Sequence, residues 1–109
     1  MTKCIIIILS LFFYQKIYAA ELSGVPIITD GDTIKIINKR IRLHGIDTPE
    51  KKQICIKNNK EYSCGKEATD ALAKKINGNQ VVCKVQDRLD RYKRYIGVCF
   101  VGEINLNKW

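Results

Sequence analysis

Between residues 25 and 44 the chain is a succession of short, β-branched, turn-bounded segments, and this limits it to a small, strand-rich fold. Val25-Pro26-Ile27-Ile28 is an apolar run that ends at the turn signal Asp30-Gly31. Residues 33–38 (Thr-Ile-Lys-Ile-Ile-Asn) have strand composition and stop at polar Asn38-Lys39-Arg40. Ile41-Arg42-Leu43-His44 then alternates apolar with polar. Residues 33–38 and 41–44 are expected to pair as a hairpin, with Arg42 and His44 on the face opposite Ile41 and Leu43.

Downstream the pattern changes once. Residues 50–63 form a polar, lysine-bearing loop after Pro49. Residues 65–77 carry Ala68, Ala71, Leu72 and Ile76 at helical spacing, with Glu67 and Asp70 early and Lys74 and Lys75 late, as the helix dipole favours, and Gly78 to end the helix. Residues 81–85 and 95–101 read as two further strands joined by the charged stretch 86–94, and residues 104–109 as the opening of a second helix. The order of elements predicts a β-rich α+β fold: a five-stranded OB-type Greek-key barrel with one helix after its third strand.

At 109 residues the chain has room for one small domain. Its N-terminus reads as a secretory signal peptide over residues 1–20, with Lys3 before an apolar stretch from Cys4 to Tyr14 and small residues at Ala19 and Ala20; an uncleaved anchor is the alternative. The domain then covers residues 21–109, without stable membrane association after cleavage, as a monomer that is secreted or periplasmic. Cys55, Cys64, Cys83 and Cys99 agree with export, because an even set in a small exported domain reads as two disulfides. Of the three connectivities, Cys55 with Cys64 and Cys83 with Cys99 is favoured; a zinc site is disfavoured by the lack of a Cys-x-x-Cys spacing. Loss of Lys3 and Lys16 with the leader lowers the net charge from +8 to +6, which still attracts polyanions, though such a balance also serves solubility.

The chemistry-bearing residues concentrate around the first hairpin. Asp30-Gly31-Asp32 alone is an ordinary turn, but Asp47 and Glu50 add carboxylates that would repel one another without a cation, and oxygen-only ligands suit Ca²⁺ or Mg²⁺. Arg42 leads into this segment, and Asp90-Arg91-Tyr92-Lys93-Arg94 supplies a second basic cluster; guanidinium groups clamp phosphate bidentately. Tyr92 and Tyr95 are open to base stacking or to rim packing. His44 is read as an exposed strand histidine rather than a base.

Asp30-Gly31-Asp32-Thr33, the run Arg42-Leu43-x-Gly45-Ile46-Asp47-Thr48-Pro49-Glu50, and Asp90-Arg91-Tyr92-x-Arg94 resemble, in order and separation, the three signature segments of the staphylococcal nuclease family. The resemblance covers roughly residues 25–107 and implies calcium-dependent hydrolysis of DNA and RNA phosphodiesters, leaving 3′-phosphate ends. It implies Asp32 and Asp47 as carboxylate ligands of Ca²⁺, with the Thr48 carbonyl as a further ligand. Glu50 would orient or deprotonate the attacking water, and Arg42 and Arg94 would bind the scissile phosphate. The chain departs from the family pattern at Lys93, where glycine is usual, and at its end, where the family continues through further helices. A non-catalytic OB-type nucleic-acid-binding module and an inactive truncated nuclease are the alternative readings.

Overall fold

A computed structural model describes residues 20–109, so the expected signal peptide lies outside the described residues apart from Ala20. Among the described residues there are nine strands and one helix. In chain order these are β1 (Ala20–Gly24), β2 (Ile27–Asp30), β3 (Thr33–Ile36), β4 (Lys39–Leu43), β5 (Cys55–Lys57), β6 (Lys60–Tyr62), α1 (Cys64–Ile76), β7 (Val81–Leu89), β8 (Tyr95–Val101) and β9 (Ile104–Asn105).

One sheet, in the order β1-β7-β8-β4-β3-β2 with β9 added to β8, carries the fold, while β5 and β6 form a separate two-stranded hairpin. All pairings in the main sheet are antiparallel except β4 with β8, where Ile41, Arg42 and Leu43 lie beside Tyr95, Ile96 and Gly97. The sheet curls, since a Cβ placed on Gly24 of β1 would lie 3.0 Å from Ile36 Cγ2 of β3, although the two strands stand far apart in the sheet order. This half-barrel with one helix is consistent with an OB-type fold.

Inside the curl the alternation read from the sequence is realised. Ile34, Ile36, Ile41, Leu43, Val81, Cys83, Val85, Cys99 and Val101 are buried against Leu72 and Ile76 of α1 and against Leu106. Cys83 and Cys99 face each other in register on β7 and β8 and are joined; Cys55 and Cys64 form the second disulfide, as expected. The helix begins one residue earlier than expected and ends where Asn77 turns left-handed (φ 51°) and donates its N–H to the Ala73 carbonyl. Ala71 is exposed and Thr69 is buried instead, satisfied by donating its hydroxyl to the Gly65 carbonyl at 2.9 Å.

The remaining expectations need correction. The five strands become nine. β1 leaves no alternation to read, because Leu22 is its one partly buried large apolar residue and a single inward side chain sets no period. The loop at 50–63 contains β5 and β6, whose residues are nearly all exposed and so lack a hydrophobic signature. Residues 86–89 continue β7 past a register shift rather than belonging to the connection. The first hairpin turns at Ile37-Asn38, both at positive φ (47° and 63°), one step before the polar residues expected to end the strand. Finally, residues 104–109 do not open as a second helix. Gly102 (φ 58°) turns the chain so that Ile104 pairs with Val101, and a single turn follows, in which Trp109 N–H reaches the Asn105 carbonyl at 3.2 Å. Among the described residues no helix is long and apolar enough to cross a membrane.

Candidate active site

The Asp90–Arg94 turn is built by its own first residue. The Asp90 carboxylate accepts the N–H groups of Tyr92 and Arg94 through Oδ1 and the Arg94 Nε–H through Oδ2, all at 2.9 Å. Lys93 N–H bonds to the Asp90 carbonyl, and Lys93 takes φ 62°, which makes this a type I turn followed by a left-handed residue, a common hairpin closure. Partial burial pushes the Asp90 carboxyl up. The bonds from Arg94 and Tyr92, together with the Arg94 charge, outweigh that and hold it below its ordinary value.

Arg94 is thereby aimed back across the sheet. Its Nη1 donates to Thr33 Oγ1 at 3.1 Å, and the Thr33 hydroxyl donates onward to Asp32 Oδ1 at 2.9 Å. The other Asp32 oxygen faces Arg42 Nη2 at 3.8 Å, and the same Arg42 nitrogen donates to the Ile46 carbonyl at 3.1 Å. A continuous line of charge-assisted contacts therefore runs from Asp90 through Arg94, Thr33 and Asp32 to Arg42. It joins three of the residues singled out in the sequence, and Asp32 and Thr33 are buried within it.

Glu50 stands on the loop between β4 and β5. With Arg40, Tyr92 and Arg94 it lines an open cleft of about 240 Å³. Its backbone is held from three directions. The next residue, Lys51, donates its N–H to Asp30 Oδ1 at 2.7 Å, so the β2–β3 turn grips the loop. Gln53 N–H closes a turn onto the Glu50 carbonyl at 2.8 Å, and Gly65 N–H bonds to Gln53 in turn. Gly65 also approaches so closely that a Cβ there would lie 1.6 Å from the Glu50 carbonyl oxygen, so only glycine fits at this start of α1.

Asp47 and Thr48 lie on the segment between β4 and Pro49, where Asp47 is exposed and Thr48 half-buried. Thr48 packs on the Asp30–Asp32 turn, since a Cβ on Gly31 would meet Thr48 Oγ1 at 2.8 Å and Ala68 Cβ at 2.9 Å. Thr48 Oγ1 is buried without a hydrogen-bond partner. Among the described residues no three His, Cys, Asp or Glu side chains gather as a metal-binding cluster. The donor set nevertheless suits a hard divalent cation in kind: a buried Asp32 carboxylate, Asp47, and oxygens of Thr48, one of them an orphan beside the Asp32 turn.

Arg40 is a member that the sequence pattern assigns only to the polar end of a strand. It lies within β4, on the same face as Arg42 by strand alternation, and its Nη2 donates to the Tyr92 carbonyl. Extending the alternation of residues 41–44 backwards by one step would have found it. Tyr92 is exposed, with the Arg94 and Arg91 guanidinium carbons 5.3 and 4.8 Å from its ring centre. Asn107, also unforeseen, bonds His44, Gly97 and Cys99 backbone groups and pins the end of β4 to β8. Behind the cleft, Gly31, Ile46, Thr48, Ala68, Leu106 and Trp109 line a larger apolar recess of about 380 Å³ that contains none of the charged groups above.

Residues 40–109 match the family described as staphylococcal nuclease homologue. The chain belongs to that family. The matched region includes Arg42, Asp47, Thr48, Glu50 and Arg94, while Asp32 and Thr33 lie just upstream of it. Among the relatives of this staphylococcal nuclease homologue, the succinoglycan biosynthesis protein ExoI of Rhizobium meliloti (strain 1021) is 35% identical over 94 residues, 84% of this chain and 49% of that protein. Proteins named uncharacterized endonuclease from Escherichia coli O157:H7 and from Escherichia coli are each 32% identical over 114 residues, covering 100% of this chain and 68% of theirs. The chain thus spans about half the length of the first relative and about two thirds of the other two.

Proposed function

We propose that this chain is an exported, calcium-dependent nuclease that hydrolyses DNA or RNA phosphodiesters and leaves 3′-phosphate ends. The observation that carries the reading is the shared cleft: Glu50 lines it together with Arg94, whose guanidinium is locked in aim by Asp90 and Thr33. A carboxylate and a fixed guanidinium lining one open cleft suit an anionic substrate attacked by water. Family membership and two relatives named as endonucleases support it. Export is supported by the leader-like N-terminus and by two disulfides in a small domain.

In this mechanism Arg94 and Arg42 bind the scissile phosphate and answer the negative charge that builds on its oxygens during attack. Glu50 orients a water and takes its proton as the water oxygen bonds to phosphorus. The bond from phosphorus to the 5′ oxygen breaks, and that oxygen leaves as a hydroxyl after gaining a proton from solvent. Asp32, Asp47 and the Thr48 carbonyl would hold Ca²⁺, which when bound supplies Lewis-acid polarisation of the phosphoryl oxygen. Asp32 is restrained for this by the Thr33 hydroxyl on one oxygen and faces Arg42 with the other.

The test is hydrolysis of single-stranded DNA with calcium, with chelator, and by a Glu50→Gln variant. Cleavage is expected only with calcium, and the variant is expected to lose about 100-fold or more in kcat, the usual contribution of a general base. Chelator-resistant cleavage, or a fully active variant, would remove the reading.

A further inference from the structure

The β5–β6 hairpin contributes almost nothing to the core, yet it is held with care. It forms no hydrogen-bonded ladder with the main sheet, and β6 is exposed throughout. Two-stranded hairpins are marginal in water unless something else fixes them. Here two devices do so. Asn58 and Asn59 both adopt positive φ (54° and 62°), which gives the tightest hairpin turn, and the Cys55–Cys64 bridge ties the base of β5 to the first residue of α1.

What the hairpin displays is basic. Residues 51–63 hold Lys51, Lys52, Lys57 and Lys60 against a single acid, Glu61. The register pairs Lys57 with Lys60 and Cys55 with Tyr62, which puts both lysines and Tyr62 on one face and Ile56 with Glu61 on the other. Like charges directly opposite each other destabilise a ladder, so the lysine pair works against the hairpin that carries it unless an anion lies between them. That face opens on a recess of about 500 Å³ lined by Lys57, Asn58, Lys60, Tyr62 and Glu67. Glu67 offsets one lysine, and Lys51 and Lys52 restore the excess on the approach. Six residues separate Glu50 from Lys57, a reach of at most about 25 Å, so the face lies within a few nucleotides of the cleft.

We infer that the stapled β5–β6 hairpin is a second nucleic-acid contact, in which Lys57 and Lys60 grip a phosphodiester of the bound strand beyond the scissile one and Tyr62 offers a ring to a base. It rests on the nuclease reading for its substrate. Backbone tracking by spaced cations with an aromatic platform is how single strands are held without sequence preference. The bridge fixes the distance between this contact and Glu50, and so the register of the strand in the cleft.

Binding of a labelled single strand of about 20 nucleotides is to be followed by fluorescence anisotropy in chelator, so that no cleavage intervenes. The variant Lys57→Ala/Lys60→Ala is expected to weaken binding about tenfold at low salt. It should also reduce the slope of log affinity against log salt by about 1.4, the change expected when two phosphates are no longer neutralised by the protein. Lys57→Arg/Lys60→Arg, which keeps both charges, should bind as the parent does. Hydrolysis of a dinucleotide, too short to reach the hairpin, should be unchanged in the alanine variant. Unchanged affinity and slope in the alanine variant would overturn the inference. So would heparin bound more tightly than DNA through the same two lysines, which would assign the face to a sulfated polysaccharide. Failure of the parent to cut the dinucleotide would count against the nuclease reading alone, because the anisotropy arm needs no catalysis.

Discussion

Lys93 occupies a position that the backbone reserves for glycine. Its φ of 62° lets the Asp90–Arg94 turn close, but a side chain in the left-handed region costs about 1 kcal/mol. Lys93→Gly should therefore raise stability by about 1 kcal/mol, seen as a higher urea midpoint at unchanged slope; an equal or lower midpoint would show that the lysine makes compensating contacts. Beside it, the depressed Asp90 carboxyl makes the turn sensitive to acid. A group with a lowered folded pKa contributes its full stability above the unfolded value of about 3.9 and loses it as pH falls through the folded value. The stability gap between the parent and Asp90→Asn should thus be present at neutral pH and shrink towards pH 3; a gap independent of pH would mean that the charge on Asp90 is not what holds Arg94. Residues of this kind differ in how legible they are. Arg42, Glu50 and Arg94 stand in contiguous signature runs. Thr33 stands in such a run and Arg40 on the polar face of β4, but their bonds to Arg94 and Tyr92, partners 61 and 52 residues away, are encoded by no local pattern.

At the level of elements, the legible ones are those with a buried face. The β3–β4 hairpin, α1 and the cores of β7 and β8 can be read because burial imposes a period on their sequences. β1, β5, β6 and β9 escape because turns, a disulfide or one inward side chain hold them. The junction between the loop and α1 is the element on which the site depends most, since the N-terminal turn of the helix is pressed against the Glu50 backbone through Gly65. Gly65→Ala adds a carbon 1.6 Å from the Glu50 carbonyl oxygen, and backbone must yield. Overpacking of this order costs about 1 to 3 kcal/mol, and displacing Glu50 by about 1 Å should lower kcat about 100-fold. Thermal unfolding beside single-turnover hydrolysis checks this, and a variant with normal turnover would show that Glu50 is positioned by its side chain rather than by its backbone.

For the molecule as a whole, the question is what keeps so small a curled sheet closed. Its buried apolar set is short, and domains of this size bury a modest share of their surface. Cys83–Cys99 lies in the middle of that set, across the β7–β8 ladder and fully buried, so it ties the longest strands where the curl is packed. A bridge between residues 16 apart is worth about 3 kcal/mol in the chain-entropy model, against a total stability of about 5 to 15 kcal/mol for ordinary domains. Replacing Cys83 and Cys99 by alanine should lower the unfolding free energy by about that amount. Removing Cys55–Cys64 acts elsewhere: its loop lies on an exposed hairpin, so its loss should loosen the hairpin and the Glu50 loop while the central strands keep their protection. Hydrogen exchange on the two double variants separates these cases. Protection lost across β7 and β8 only when Cys83 and Cys99 are replaced would place global closure in the core bridge; equal loss in both variants would mean that hairpin and sheet unfold as one unit, and the staple would then be part of the fold's general stability.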